Sequence, residues 1–112
     1  MKYIKKFEYK QTQKLKKYII AIVNGGVFII FETHGPNRSG SYGVKRLYFY
    51  MRGDSSDLEK HPYGYLREQD GYEFSFNPDK DDWDIIYESD NLNDCLDLEM
   101  LSTLYHANKY NL

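Results

Sequence analysis

Two runs of β-branched and aromatic residues, separated by a glycine-rich turn, constrain the fold of this chain more than any other feature. The runs are Tyr18–Val23 and Val27–Phe31, and Asn24-Gly25-Gly26 lies between them. An Asn-Gly pair supplies the positive φ angles of a type I′ turn, so the segment is predicted to be a β-hairpin. Both arms are apolar at consecutive rather than alternate positions, which indicates a central hairpin covered on both faces.

The next predicted strand, Val44–Arg52, alternates between two kinds of residue, and the polar loop His34–Gly43 precedes it. Because side chains alternate between the faces of a strand, one face is predicted to be core, formed by Leu47, Phe49 and Met51. The opposite face is a predicted ribbon of Arg46, Tyr48, Tyr50 and Arg52. Tyrosine and arginine are favoured interface anchors, and twelve tyrosines exceed the needs of a small core. We therefore predict a partner-binding surface made of this ribbon and the loop residue Arg38.

The remaining segments predict further strands and one helix. Residues 63–67 and 72–76 flank Asp70-Gly71, which indicates a second hairpin, and Trp83–Tyr87 is a predicted strand. Residues 53–62 are a predicted polar loop. Leu92, Leu96 and Met100 recur at helical spacing, which predicts one helix at about 91–107. Residues 3–17 suit either a strand or a helical face, and we favour a short strand followed by a lysine-rich turn.

These elements predict an α+β fold in which residues 1–112 form a single domain. Its antiparallel sheet has five to six strands within residues 3–87, with one C-terminal helix packed on it. The single cysteine, Cys95, has no partner for a disulfide and is predicted to be a small core residue. The longest apolar stretch is interrupted by the hairpin turn and is too short to cross a membrane. We therefore expect a cytoplasmic protein with no membrane contact.

The net charge of −2 conceals two halves of opposite sign. Residues 1–53 hold eleven lysines and arginines against two acidic residues, whereas residues 54–99 hold fifteen acidic residues against three basic ones. The acidic half is expected to dock on a basic groove or to imitate a phosphate backbone, and its predicted contacts are Asp79, Asp81, Asp82 and Asp84. The alternative interpretation is that the two halves neutralise each other across the sheet.

Catalytic and metal-binding patterns are missing from the sequence. His34, His61 and His106 are scattered, and no nucleophile elbow, zinc-protease helix or phosphate-binding glycine loop is present. The run Asp79–Asp84 lacks the glycine and the distal glutamate of a calcium loop, so it is predicted to be a solvated acidic turn. We expect no catalytic residues, no metal and no cofactor. A small enzyme that uses His34 in the flexible loop is a third, separate hypothesis.

The amino-acid composition of the chain is similar to that of one class of small proteins. Phe, Tyr, Met, Ile, Asn and Lys, whose codons are AT-rich, make up 47 residues, whereas Gly, Ala, Arg and Pro make up 17. In size, composition and charge segregation the chain resembles the small inhibitor and accessory proteins of phages and mobile elements, including anti-CRISPR proteins. No motif carries this resemblance.

The resemblance implies a non-enzymatic inhibitor that acts in the host cytoplasm by stoichiometric protein–protein binding. Its implied partner is a larger nucleic-acid enzyme or ribonucleoprotein of the host, or a CRISPR-Cas-like defence protein. The alternative function is direct binding of RNA or single-stranded nucleic acid through the lysines and arginines of residues 1–53.

Overall fold

A computed structural model of the chain describes residues 14–53 and 55–110. The predicted strand within residues 3–17 therefore lies largely outside the described residues. Residues 14–17 lead into the first strand without regular secondary structure.

The described chain is an antiparallel sheet followed by a C-terminal helix, which confirms the α+β prediction. The strands are β1 (Tyr18–Val23), β2 (Val27–His34), β3 (Tyr42–Met51), β4 (Tyr65–Glu68), β5 (Glu73–Phe76) and β6 (Asp84–Ser89). The helices are α1 (Ser55–Lys60), α2 (Leu92–Cys95) and α3 (Leu98–Tyr110). Helix α1 lies in the segment predicted to be a polar loop. None of the described helices is both long enough and apolar enough to cross a membrane.

The predicted central hairpin is confirmed as β1 and β2, which pair from Val23 opposite Val27 to Tyr18 opposite Glu32. The connecting turn has three residues, and Gly25 and Gly26 rather than Asn24 adopt positive φ. Strand β6 pairs with the outer edge of β1, and β3 pairs with the outer edge of β2. The hairpin is therefore the centre of the sheet, as its apolar arms predict.

The second predicted hairpin is wrong, because β4 and β5 do not pair with each other. Both pair with the same edge of β3, opposite its two halves. The predicted turn at Asp70-Gly71 is a bulge in this run, closed by bonds from Gln69 N–H to Leu47 C=O (2.9 Å) and from Arg46 N–H to Tyr72 C=O (3.1 Å). Strand β3 is long enough to pair with both short strands in succession, so the chain continues in one direction instead of reversing.

A second bulge, at Leu47, changes which residues of β3 share a face. Ile30 lies opposite Tyr48, but the next residue, Phe31, lies opposite Arg46, so Leu47 has no partner in β2. An extra residue in one strand shifts the alternation of side chains by one position. Arg46 therefore shares a face with Phe49, and Tyr48 and Tyr50 lie on the other face. The predicted single ribbon of arginine and tyrosine is wrong for this reason.

Both faces of the sheet are buried, as the consecutive apolar positions predict. We call the side under the helices the helix face; its buried core is Ile20, Ile22, Phe28, Ile30, Tyr50 and Ile86, covered by Cys95 and Leu101. We call the opposite side the Trp83 face; its buried core is Leu15, Ile19, Ala21, Ile29, Phe31, Tyr42, Val44, Phe76 and Ile85, with Trp83 packed against it.

The predicted helix at about 91–107 is divided into α2 and α3. The break lies at Leu96 and Asp97, where the Asp97 carbonyl accepts a hydrogen bond from Leu101 N–H at 2.9 Å. The Asp97 carboxylate accepts another from Met100 N–H at 3.2 Å. An aspartate that satisfies the first free N–H groups of a helix is a typical N-terminal cap. Asp97 therefore begins a new helix inside an apolar pattern that is continuous in the sequence.

Cys95 leads to a prediction about pH. Burial, assisted by the Asp94 carboxylate, raises the pKa of its thiol to about 11. Between its ordinary pKa of 9.0 and this value, the folded chain keeps a proton that the unfolded chain releases, so the free energy of unfolding falls as pH rises. Urea unfolding at pH 8 and at about pH 10.5 measures this decrease. We expect a smaller decrease in Cys95→Ala, and an equal decrease in both proteins would contradict the assignment.

Candidate functional site

The four predicted acidic contacts lie together in the chain between β5 and β6. Asp79, Asp81 and Asp82 belong to the connection and Asp84 begins β6, and all four side chains are exposed. We call residues 77–84 the acidic turn. Its carboxylates are presented to solvent, as the sequence predicts for a solvated acidic turn.

Asn77 holds the acidic turn in one conformation. Its N–H donates to Asp81 Oδ2 at 2.7 Å, and its side-chain Oδ1 accepts from Asp79 N–H at 2.9 Å. Its carbonyl accepts from the N–H groups of Lys80 and Asp81 at 3.0 and 2.8 Å. Asparagine followed by proline is a known turn signal, but Asn77 is not among the predicted site residues. The buried Asn77 therefore orders the backbone that carries the carboxylates.

Two aromatic residues fix the acidic turn to the sheet at both ends. Phe76 precedes the turn and Trp83 lies near its end, and their rings stack at 4.1 Å between centroids with an interplanar angle of 14°. Trp83 also stacks on Phe31 of β2 at 4.8 Å. Because both ends are packed on the Trp83 face, the turn loses little further conformational entropy when it binds a partner.

The loop that carries Arg38 lies beside the acidic turn. Asn77 Nδ2 donates to Ser41 Oγ at 3.3 Å, which joins the two segments. Asn37 orders this loop, because its Oδ1 accepts from the N–H groups of Ser39 and Ser41, both at 3.0 Å. Arg38 is exposed in the same loop. The structure thus joins the loop of Arg38 to the acidic turn, although the two segments were predicted to belong to separate surfaces.

The other members of the predicted basic and aromatic surface do not come together. Tyr50 is 5% exposed in the core of the helix face, and its hydroxyl donates to Tyr63 C=O at 2.5 Å. Tyr48 is half-buried on the same face. Arg52 Nη1 donates to Ser102 Oγ of α3 at 2.7 Å. Arg46 lies on the opposite face, so these four residues form no common surface.

The basic and acidic halves of the sequence interleave in the sheet. Lys45 of β3, in the basic half, lies opposite Glu73 of β5, in the acidic half. Arg46 Nη2 lies 3.5 Å from Asp70 Oδ1. The backbone N–H groups of residues 16 and 17 donate to the carboxylates of Glu88 and Asp90 at 2.7 and 3.1 Å. Strand pairing therefore brings part of each half against the other, in line with the alternative interpretation of the charge pattern.

A shallow depression of about 280 Å³ lies at the bulge between β3 and the β4–β5 run. Its lining carries charges of both signs: Lys45, Arg46, Leu47, Tyr48, Glu68, Gln69, Asp70, Gly71 and Leu92. The two basic and two acidic side chains balance, so the depression favours neither an anion nor a cation. Among residues 14–53 and 55–110, no group of three or more His, Cys, Asp or Glu side chains is arranged to hold a metal ion.

His34, the residue of the enzyme hypothesis, is exposed at the end of β2. Its Nε2 lies 3.3 Å from the Glu32 carboxylate. Residues i and i+2 of a strand share one face, which accounts for this contact.

Comparisons of the chain with known protein families, with curated proteins and with solved structures find no match.

Proposed function

We propose that this chain is a non-enzymatic binding protein that inhibits a larger host protein by stoichiometric protein–protein binding. The proposed target is a nucleic-acid-handling or defence protein of the CRISPR-Cas type, and the proposed contact is the acidic turn. One observation carries the proposal: Asn77, Phe76 and Trp83 hold a cluster of exposed carboxylates in a fixed conformation.

The physical argument is electrostatic complementarity. Proteins that handle nucleic acids carry basic grooves, and a cluster of carboxylates is steered toward such a groove and competes with the phosphate backbone there. Asp79, Asp81, Asp82 and Asp84 provide this charge over a short length of chain. Because the turn is already ordered, little binding energy is lost in arranging the carboxylates.

Direct binding of RNA or single-stranded nucleic acid has less support from the geometry. The predicted ribbon of arginine and tyrosine on β3, whose rings could stack on unpaired bases, is divided, since Arg46 lies on the Trp83 face and Tyr50 is buried on the helix face. Glu32, Asp70 and Glu73 also lie beside the basic residues of β3 and would repel a phosphate backbone.

Charge reversal of the acidic turn tests the proposal. In the triple variant Asp79→Lys/Asp82→Lys/Asp84→Lys, Asp81 is kept because its carboxylate holds the turn. Binding to purified CRISPR-Cas effector complexes and other basic-groove nucleases is measured by calorimetry, with nuclease inhibition as the second readout. We expect a wild-type complex of fixed stoichiometry and a Kd raised by about tenfold or more in the variant, since several charge pairs are lost at once.

The matched control reverses the same number of exposed acidic residues elsewhere, in Glu59→Lys/Glu68→Lys/Glu99→Lys. It changes the net charge equally and should leave the Kd within about twofold, because distant exposed charges are screened by salt. Asn77→Ala should weaken binding without any change in charge. An equal loss of binding in the control and the acidic-turn variant, or no binding to any of these targets, would overturn the proposal.

A further inference from the structure

An exposed tyrosine, an arginine and an aspartate lie together on the Trp83 face, apart from the acidic turn. Tyr72 is 57% exposed, the most exposed of the large apolar and aromatic side chains in the described ranges. Arg46 Cζ lies 5.2 Å from the centre of its ring, and Asp70 Oδ1 lies 3.5 Å from Arg46 Nη2. We call Arg46, Asp70 and Tyr72 the Arg46 patch.

The hydrogen-bonding capacity of Arg46 is poorly used within the chain. Its Nε is buried and has no hydrogen-bond partner among the described residues. Its contact with Asp70 is long, since charge-assisted N–H···O bonds between such groups are ordinarily about 2.7–2.9 Å. Tyr72 N–H donates to Asp70 Oδ1 at 3.0 Å, and the Asp70 side chain is 74% exposed, so a held carboxylate is presented to solvent. Because Nε is buried, an acceptor from outside the chain can reach only the Nη groups, and a charge-assisted bond of ordinary length to them would be stronger than the 3.5 Å contact with Asp70.

Aromatic rings hold the Arg46 side chain in place. Its guanidinium packs near two rings, with Cζ 5.2 Å from the ring centre of Tyr72 and 5.8 Å from that of Phe49. Tyr72 in turn stacks on Phe74 at 5.6 Å. Because these contacts set the positions of Arg46 and Tyr72, both side chains would lose little conformational entropy on binding a partner. Arginine and tyrosine are also residue types that concentrate binding energy at interfaces.

We propose that the Arg46 patch is a two-fold contact between two copies of this chain. In such a contact Arg46 of one copy meets Asp70 of the other, and the reverse pair forms at the same time. The patch has one positive and one negative charge, so an acidic or a basic partner would complement only half of it. A second copy turned by 180° complements both charges and places the two Tyr72 rings near the axis. This inference is independent of the proposed inhibitory function, because none of the three residues of the patch belongs to the acidic turn.

A charge-swap experiment tests the contact on the full chain. Sedimentation equilibrium measures the mass from about 10 µM to about 1 mM, which covers weak association. We expect the wild-type chain to approach twice the monomer mass. Arg46→Asp and Asp70→Arg should each raise the dimer dissociation constant about tenfold or more, because each places like charges opposite one another. An equal mixture of the two variants should recover the dimer, since every pair across the axis is again of opposite sign.

Matched controls separate this contact from general charge effects and from the inhibitory function. Arg38→Asp and Asp79→Arg make the same substitutions outside the patch and should leave dimerisation unchanged. Arg46→Asp and Asp70→Arg should retain target binding, which Asp79→Arg weakens. Tyr72→Ser, at an exposed position, also reduces dimerisation and covers the case in which Arg46→Asp does not fold. A wild-type chain that stays monomeric throughout, or a variant mixture that fails to associate, would overturn the proposal.

Discussion

Replacement of Gly64 by alanine is expected to lower the free energy of unfolding by about 4 kcal/mol, because a β-carbon does not fit there. Gly64 has φ +82°, and its β-carbon would lie 2.6 Å from the Met51 carbonyl oxygen and 2.5 Å from the Tyr50 hydroxyl. The carbonyl belongs to the β3 backbone, and Tyr50 is held by its hydrogen bond to Tyr63. Neither neighbour can move without breaking the contact between the sheet and the turn before β4 that contains Gly64.

The matched control for Gly64→Ala is Gly25→Ala. Gly25 has nearly the same φ, +83°, but no atom lies within 4 Å of its β-carbon position. Gly25→Ala should lower the free energy of unfolding only by the backbone strain of the left-handed conformation, about 1–2 kcal/mol. Tyr50→Phe should cost about 1 kcal/mol for the lost hydrogen bond. Urea unfolding, followed by the fluorescence of the single tryptophan, Trp83, measures the free energy of unfolding of all three variants. Equal losses at Gly64 and Gly25 would show that steric overlap is not the cause.

Phe31→Ala is expected to lower the free energy of unfolding by about 3–5 kcal/mol, the usual cost of removing a fully buried aromatic ring. Phe31 is completely buried in the centre of the Trp83 face. It stacks on Trp83 and meets Phe74 edge-on at 6.0 Å, so its loss leaves a cavity between β2 and the segment after β5. Because Trp83 loses a stacking partner, its emission should also move to longer wavelength in the folded state.

Tyr72→Ala is the control for Phe31→Ala, because Tyr72 stacks on the same Phe74 but lies at the surface. Measured at low protein concentration, it should change the free energy of unfolding by about 1 kcal/mol or less and leave the Trp83 emission unchanged. A Phe31→Ala variant that loses less than about 1 kcal/mol would contradict the central role of this stack. A full loss without a change in Trp83 emission would show that Trp83 does not depend on Phe31.

The acidic turn shows how far local sequence signals extend toward the candidate site. The aspartates of residues 79–84 indicate a solvated turn, and their side chains are exposed in the structure. The link between Asn77 and the loop that carries Arg38 could not be predicted in the same way. It depends on Ser41, which is distant in the chain and meets Asn77 only because β3 and β5 pair with Tyr42 opposite Phe76.

The Asp70-Gly71 segment shows the same limit for strand pairing. A hairpin and a bulge in a continuing strand use the same turn residues, because both need a local change of direction and a glycine with positive φ. The choice between them depends on whether a longer strand offers an edge to both segments. Strand β3 offers that edge here, and its length and position follow from its pairing with the central hairpin.

The sequence by itself determined the central hairpin, the cover on both of its faces, the α+β class and the exposure of the acidic turn. These follow from local periodicity, turn chemistry and charge, which act within a few residues. Only the tertiary structure decided which residues of β3 share a surface, and therefore that Arg46 and the tyrosines of β3 form no common ribbon. Side chains alternate with a period of two, so the single extra residue at Leu47 moves Arg46 to the face opposite Tyr48 and Tyr50.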